Sequence, residues 1–206
     1  MPACLYLASK SPRRLEILRN LGYAVVPLPQ GGSSPFAFEG DEERAPGESS
    51  ADYVLRTART KALQAFEEIR SRNLPRRPVV AADTTVVLGE DILGKPRDKT
   101  EEVQFLRRLS CQTHIVRTAV FAGTDEANLR GLVSESRVTF GRITSEDMLA
   151  YASCSEPYDK AGGYAVQGLA AAFIEKIEGS YSGIMGLPVY ETAALLREFG
   201  CGPFQD

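Results

Sequence analysis

The sequence of 206 residues contains a single histidine and no tryptophan, and its four cysteines are scattered along the chain. Because His114 is the only histidine, a metal site built from two or three histidines within one chain is excluded. The cysteines form no CxxC pair, which argues against a zinc knuckle and against a disulfide framework. A metal in this protein would therefore be held by carboxylates, which favour a hard ion such as Mg²⁺ or Mn²⁺.

An excess of positive charge and long apolar runs are also missing. The net charge of -3 argues against nonspecific binding of nucleic acid. No run approaches the roughly 18 apolar residues of a membrane span, and no charged segment precedes an apolar one at the beginning of the chain. We therefore expect a soluble cytoplasmic protein with neither nucleic acid nor membrane as a partner. The motifs GxxxxGK[ST], GxGxxG and GxSxG do not occur, so the P-loop, Rossmann and serine-hydrolase interpretations fail.

Strand and helix patterns alternate along the chain and predict a mixed-sheet α/β fold. Strand patterns occupy residues 4–9, 23–28, 79–88, 113–123, 132–143 and 171–179, with a hairpin at 89–96. Helix patterns begin at residue 12 and occupy 51–72, 98–109, 145–153 and 187–200. The segments 29–50 and 157–168 are predicted loops. The length suffices for one core, so we expect a single domain over residues 1–206.

The first helix begins with an unusual charge pattern. Ser11 followed by Pro12 predicts a capped helix start, and Arg13 and Arg14 come next. A helix N-terminus carries partial positive charge and normally attracts acidic residues. Two guanidinium groups at this place could bind a phosphate together with the free backbone N–H groups, or they could point into solvent and neutralise Glu16 or a distant carboxylate.

The long second helix carries a lysine beside its apolar stripe. That stripe follows helical spacing and comprises Val54, Ala58, Ala62, Ala65 and Ile69. Lys61 lies at the edge of the stripe. A lysine in that position must either extend its ammonium group to solvent or meet an anion.

A carboxylate interrupts the most apolar strand. Asp83 lies between Val79–Ala82 and Val86–Leu88, where it could cap a turn, bind a metal or act as a general base. Lys95 is fixed between a glycine and a proline, and Gln167 lies in a glycine-rich loop. The amide of a glutamine complements the acceptor and N–H of a uracil or thymine edge. Together with the acidic group at residues 41–43, these side chains fit a nucleoside triphosphate and a divalent ion.

The same residues carry a family resemblance that runs nearly end to end. The motifs are LASKSPRR, RTKA, AADTTV, GKPRD, LSCQTH, ESRVTF, EPYDKAGGYAVQG and GSYSGIMGLP. The chain resembles the Maf-family nucleoside triphosphate pyrophosphatases, and within them the dTTP/UTP branch. The resemblance implies a Maf-like fold similar to inosine triphosphate pyrophosphatase, with an elongated mixed β-sheet flanked by helices and a cleft. It also implies a divalent metal cation, Mg²⁺ or Mn²⁺, a nucleoside triphosphate substrate and a homodimer.

The resemblance further implies a role for each motif residue. Asp83 would accept the proton and, with Glu42, hold the metal, although Asp41 is an alternative to Glu42 because the preceding segment is long. The phosphates would be bound by Ser9, Arg13, Arg14, Lys61 and Lys95. Specificity for the base would come from Arg13, Thr84 and Gln167.

Two residues depart from the family pattern, and two other functions remain open. Cys111 replaces a glycine expected in LSGQTH, and Gly163 stands where alanine is common. One rival is a nucleotide-binding regulator of cell division, which would need the cations but no general base. The other is a pyrophosphatase for purine triphosphates of inosine or xanthosine.

Overall fold

The computed structural model describes residues 3–28 and 44–204. Its strands are β1 (Cys4–Ala8), β2 (Ala24–Leu28), β3 (Val79–Leu88), β4 (Asp91–Leu93), β5 (Thr113–Gly123), β6 (Arg130–Phe140) and β7 (Ile174–Glu178). Its helices are α1 (Pro12–Asn20), α2 (Ser50–Ser71), α3 (Lys99–Leu109), α4 (Ser145–Tyr151), α5 (Tyr181–Ile184) and α6 (Val189–Glu198). Among the described residues, no helix is both long and apolar enough to cross a membrane.

The strands form one seven-stranded sheet in the order β2-β1-β3-β5-β6-β7, with β4 paired to β3. Strand β1 runs parallel to both of its neighbours, with Leu5 opposite Val25 and Leu7 opposite Val80. The pairs β3–β4 and β6–β7 are antiparallel. The predicted fold class, a mixed sheet flanked by helices, is therefore confirmed.

The chain forms two compact units. The first comprises Met1–Asp83, Thr118–Val133 and Gly186–Asp206. In its core the apolar face of α2 packs on β1, β3 and β5, and the buried side chains include Tyr6, Ala58, Ala62, Phe66, Val79 and Phe121. All five residues of the predicted α2 stripe belong to this core. The spacing of apolar residues in the sequence thus identified the buried face correctly.

The second unit comprises Thr84–Arg117 and Ser134–Met185. Its core joins apolar residues of α3 and α4 to those of β3 to β6, including Val86, Leu106, Leu109, Phe140, Met148 and Tyr151. Tyr164 and Phe173 also pack in this core. The ring centroid of Phe140 lies 5.0 Å from that of Tyr164 and 6.4 Å from that of Phe173. The first of the four places where the chain passes between the units lies within β3, between Asp83 and Thr84.

Several local expectations from the sequence need correction. The strand predicted at 171–179 is shorter, because a 3₁₀ helix occupies Leu169–Phe173 and β7 begins only at Ile174. The predicted loop at 157–168 contains two 3₁₀ turns, Pro157–Asp159 and Ala161–Gly163. Helix α5 was not predicted, since its four residues are too few to show helical periodicity. The acidic group at 41–43, and with it Asp41 and Glu42, lies outside the described residues.

Candidate active site

Asp83 is held from both sides of its carboxylate by α2. The Nζ of Lys61 lies 2.5 Å from Oδ1, and the hydroxyl of Thr57 lies 2.8 Å from Oδ2. Both donors are buried, whereas the Asp83 side chain keeps 16% of its surface exposed. Thr57 and Lys61 are four residues apart, so one face of the helix presents both to the strand. The carboxylate is therefore fixed in orientation and still accessible.

Lys61 meets an anion, the second of the two outcomes left open by the sequence. It is only 7% exposed, and the nearest described acid is the Asp83 carboxylate with which it pairs. Removing one partner of a buried ion pair leaves the other charge uncompensated. Thr57 was not among the predicted site residues. The signal for it was a second polar residue in the apolar stripe, one turn before Lys61.

The start of α1 has the predicted geometry. Ser11 is the N-cap, and its side chain accepts a hydrogen bond from the backbone N–H of Arg14. The Ser9 hydroxyl, which is buried, accepts a hydrogen bond from the Ser11 N–H at 3.1 Å and another from the Arg14 guanidinium at 3.2 Å. The Nε of Arg14 also donates to the Gly186 carbonyl at 2.7 Å. Ser9 and Arg14 thus form one hydrogen-bonded group at a helix N-terminus.

Arg14 is an electrostatic neighbour of both Asp83 and Arg13. Removal from water lowers the pKa of the Arg14 guanidinium, the carboxylate of Asp83 raises it, and the charge of Arg13 lowers it further. An arginine nonetheless remains charged in any protein environment. Asp83 therefore interacts electrostatically with Arg14 of α1 as well as with Lys61 of α2.

The second unit carries Lys95 and the segment that leads to Gln167. The side chains of Lys95 and Gln167 are both exposed. The N–H of Gly162 donates to the carbonyl of Gly94 at 2.9 Å, so a backbone bond ties the glycine-rich segment to the residue before Lys95. Thr84 lies in β3 directly after Asp83, and successive side chains of a strand point to opposite faces. Thr84 and Asp83 therefore do not share a face of the strand.

Two carboxyl groups bracket the segment that contains Gln167. A Cβ on Gly163, whose φ is +72°, would lie 1.9 Å from Glu102 Oε2, and a Cβ on Gly168 would lie 2.3 Å from Glu156 Oε2. Glu156 accepts hydrogen bonds from the N–H groups of Leu169 and Ala170 and from the Tyr151 hydroxyl. A side chain at position 163 or 168 would therefore require the carboxyl of Glu102 or Glu156 to move.

Glu102 and His114 are buried titratable groups of the second unit. Within the described residues, neither oxygen of Glu102 has a hydrogen-bond partner, and burial raises the pKa of its carboxyl to about 8. The Nε2 of His114 lies 2.7 Å from the Tyr164 hydroxyl, and burial lowers the pKa of the imidazole to about 4. Both groups are therefore neutral at pH 7.

Cys111 has a backbone conformation that favours glycine. Its φ is +59°, directly after the end of α3, and its N–H donates to the Gly141 carbonyl at 3.1 Å. A left-handed residue after a helix is most often glycine. The glycine expected here from the resemblance would therefore suit the backbone, and a cysteine is strained at this φ.

The donor chemistry at Asp83 suits a hard divalent cation. A carboxylate offers about four lone-pair positions, of which the two described hydrogen bonds use one on each oxygen. Within residues 3–28 and 44–204, no three His, Cys, Asp or Glu side chains are arranged to hold a metal. Mg²⁺ needs no such cluster, because it is usually bound by one or two carboxylates together with water and substrate phosphates.

Comparison with known proteins decides the family. The chain matches the family described as Maf-like protein over residues 4–199. The chain belongs to the Maf family. Among curated Maf relatives, "dTTP/UTP pyrophosphatase" of Bordetella avium is 48% identical over 95% of this chain and 95% of its own length. The protein of the same name from Cupriavidus metallidurans is 48% identical over 97% of this chain and 98% of its own.

Solved structures similar to this Maf protein are more distant. A "Nucleoside-triphosphatase / dITP/XTP pyrophosphatase" from Mycobacterium abscessus is 19% identical and covers 69% of this chain and 76% of its own, with a TM-score of 0.42. A HAM1 protein from Coxiella burnetii is 16% identical over 68% of this chain and 74% of its own, with a TM-score of 0.43. The family assignment therefore depends on the sequence matches.

Proposed function

We propose that this Maf protein hydrolyses dTTP and UTP to the nucleoside monophosphate and pyrophosphate. The observation that carries the proposal is Asp83, a partly accessible carboxylate whose two oxygens are held by Lys61 and Thr57. A general base must be fixed in orientation and must remain open to the attacking water, and this carboxylate meets both conditions. The near full-length identity with proteins named dTTP/UTP pyrophosphatase supports the choice of substrate.

In the proposed reaction, water attacks the α-phosphorus of the nucleotide. Its oxygen forms the new bond to phosphorus, the bond from that phosphorus to the bridging oxygen of the β-phosphate breaks, and pyrophosphate leaves. Asp83 takes the proton from the attacking water. A divalent cation, Mg²⁺ or Mn²⁺, would be held by Asp83 and Glu42 and would supply charge neutralisation for the phosphates.

The cations of the first unit would bind the phosphate groups. Ser9, Arg13 and Arg14 offer hydroxyl and guanidinium donors at the N-terminus of α1, where the helix dipole also favours an anion. Lys61 has three N–H donors and uses one on Asp83, so the ammonium group can also face a phosphate. Fixed cations of this kind stabilise the charge that moves onto the departing pyrophosphate.

Lys95 would also bind the phosphates, and Arg13, Thr84 and Gln167 would select the base. Gln167 is exposed and follows a glycine turn, so its amide is available to the imide edge of uracil or thymine. Arg13 and Thr84 would complete the selection. The homodimer, the cytoplasmic location and the single domain over residues 1–206 remain predictions from the sequence.

The test is a phosphate-release assay coupled to inorganic pyrophosphatase, with purified protein, Mg²⁺ or Mn²⁺, and a panel of dTTP, UTP, CTP, ITP, XTP and GTP. We expect dTTP and UTP to be hydrolysed faster than the other triphosphates. The rate should fall at least about 100-fold in Asp83→Asn. A protein that leaves dTTP and UTP intact would refute the proposal. Preference for ITP and XTP would indicate a purine enzyme. An Asp83→Asn variant with full cellular effect would indicate a nucleotide-binding regulator.

A further inference from the structure

The hydroxyl of Thr57 lies among three acceptors. Its Oγ1 is 2.8 Å from Asp83 Oδ2, 2.9 Å from the Tyr53 carbonyl and 3.1 Å from the Val54 carbonyl. Thr57 is 1% exposed, so bulk water does not compete with these acceptors for its hydroxyl. A hydroxyl has one proton and donates to one acceptor at a time. Where that proton goes determines what Thr57 does.

The proton belongs on Asp83. A threonine inside a helix ordinarily donates to the carbonyl one turn earlier, but that carbonyl already accepts the backbone N–H of the helix. A carboxylate is a charged acceptor, and hydrogen bonds to charged groups are roughly twice as strong as those between neutral groups. The carboxylate also offers the shortest of the three distances. The two carbonyls already accept backbone N–H groups of the helix, whereas Oδ2 of Asp83 has Thr57 as its described donor.

Thr57 and Lys61 together fix the plane of the carboxylate. The terminal torsion of an aspartate is soft, so one hydrogen bond on one oxygen leaves the other oxygen able to swing. Here the lysine holds Oδ1 at 2.5 Å and the threonine holds Oδ2 at 2.8 Å. Because both donors are on one helix, the lone pairs that remain on the two oxygens keep a constant direction.

We infer that Thr57 is a positioning residue for the proposed hydrolysis: it holds the Asp83 carboxylate so that its remaining lone pairs keep facing the attacking water. The inference rests on the proposed function. Thr57 is only 1% exposed and its hydroxyl bonds to Asp83, so it offers no surface to a bound nucleotide. Its removal should therefore lower kcat and leave KM unchanged, because positioning errors of an ångström or less cost rate rather than affinity.

The test compares the wild type with three variants, two at Thr57 and one at a control position. Thr57→Val removes the hydroxyl at Asp83, and Thr57→Ser keeps it. The matched control is Thr192→Val in α6, since Thr192 is also buried within a helix but its hydroxyl donates to a backbone carbonyl, that of Pro188 at 2.6 Å. We expect kcat for UTP to fall about tenfold in Thr57→Val with KM within twofold. Thr57→Ser should restore it, and Thr192→Val should match the wild type.

A second measurement needs no substrate. Urea unfolding of the wild type, Thr57→Val, Asp83→Asn and the double variant, without nucleotide or metal, gives the coupling between the two positions. We expect Thr57→Val to lower the folding equilibrium constant in both backgrounds. The factor of this decrease should be about five times larger in the wild-type background than in the Asp83→Asn background. Additive effects would overturn the inference, as would unchanged kcat in Thr57→Val or an equal loss in Thr192→Val. If the wild type proves inert toward every triphosphate, the proposed function fails, and the unfolding cycle alone decides whether Thr57 positions Asp83.

Discussion

Replacing Glu102 with glutamine should change how the stability of the protein depends on pH. The carboxyl of Glu102 is fully buried, and burial raises its pKa from 4.5 to about 8. Between these values the folded protein keeps a proton that the unfolded chain has released. Folding stability must therefore fall as pH rises through this range, by about 1.4 kcal/mol per pH unit.

His114 produces the opposite slope over part of the range. Burial lowers its pKa from 6.5 to about 4, so between these values the unfolded chain holds a proton that the folded protein lacks. Stability then rises with pH, and it offsets the effect of Glu102 up to pH 6.5. From pH 6.5 to 8, Glu102 is the one of these two groups that still contributes. Over the one and a half pH units of this range, the free energy of unfolding should fall by about 2 kcal/mol.

The assay is urea unfolding followed by circular dichroism at pH 6.5 and at pH 8, the limits set by the two pKa values. The wild type should lose about 2 kcal/mol between them, and Glu102→Gln should lose almost none. Glu101→Gln is the matched control on the same helix, because hydrogen bonds from Arg97 lower the pKa of Glu101, so it stays ionised throughout. Parallel losses in the wild type and Glu102→Gln would refute the conclusion that the Glu102 carboxyl is neutral in the fold.

Three further substitutions test other parts of the structure. Arg14→Ala should lower stability by about 1–3 kcal/mol in urea unfolding, because it removes bonds to Gly186 and Ser9, and an unchanged midpoint would contradict this. Cys111→Gly should raise stability by about 0.5–1 kcal/mol, since glycine adopts its φ of +59° without strain; a lower melting temperature would contradict it. Gln167→Ala should lower kcat/KM for UTP and dTTP by about 10- to 100-fold and for CTP by less, and an equal drop for all three would show that the residue supports its loop rather than reads the base.

The sequence predicts the secondary structure well where the signals are local. Ser11 and Pro12 placed the start of α1, and the apolar stripe of α2 placed its buried face. These features depend on residues within a few positions of each other, so periodicity and capping rules suffice. The 3₁₀ helix at Leu169–Phe173 was missed because the N–H groups of Leu169 and Ala170 bond to Glu156, a contact between separated segments.

The candidate site was predicted as a set of residues but not as a set of contacts. The sequence named Asp83 and Lys61 separately, and no spacing rule joins a strand residue to a helix residue 22 positions earlier. Thr57 was missed for the same reason. For Arg14, the helix dipole alone predicts that its removal would stabilise the fold slightly, but its hydrogen bonds to Gly186 and Ser9 predict the opposite.

The contacts of Gly163 and Gly168 with Glu102 and Glu156 also constrain how this segment can change during evolution. An alanine at position 163 would place its methyl group 1.9 Å from Glu102, and one at position 168 would place it 2.3 Å from Glu156. A homologue with alanine at position 163 must therefore carry a shorter side chain at position 102 or hold its carboxyl elsewhere. A change at position 163 or 168 therefore also displaces the carboxyl of Glu102 or Glu156, so the segment that carries Gln167 is coupled to residues outside it.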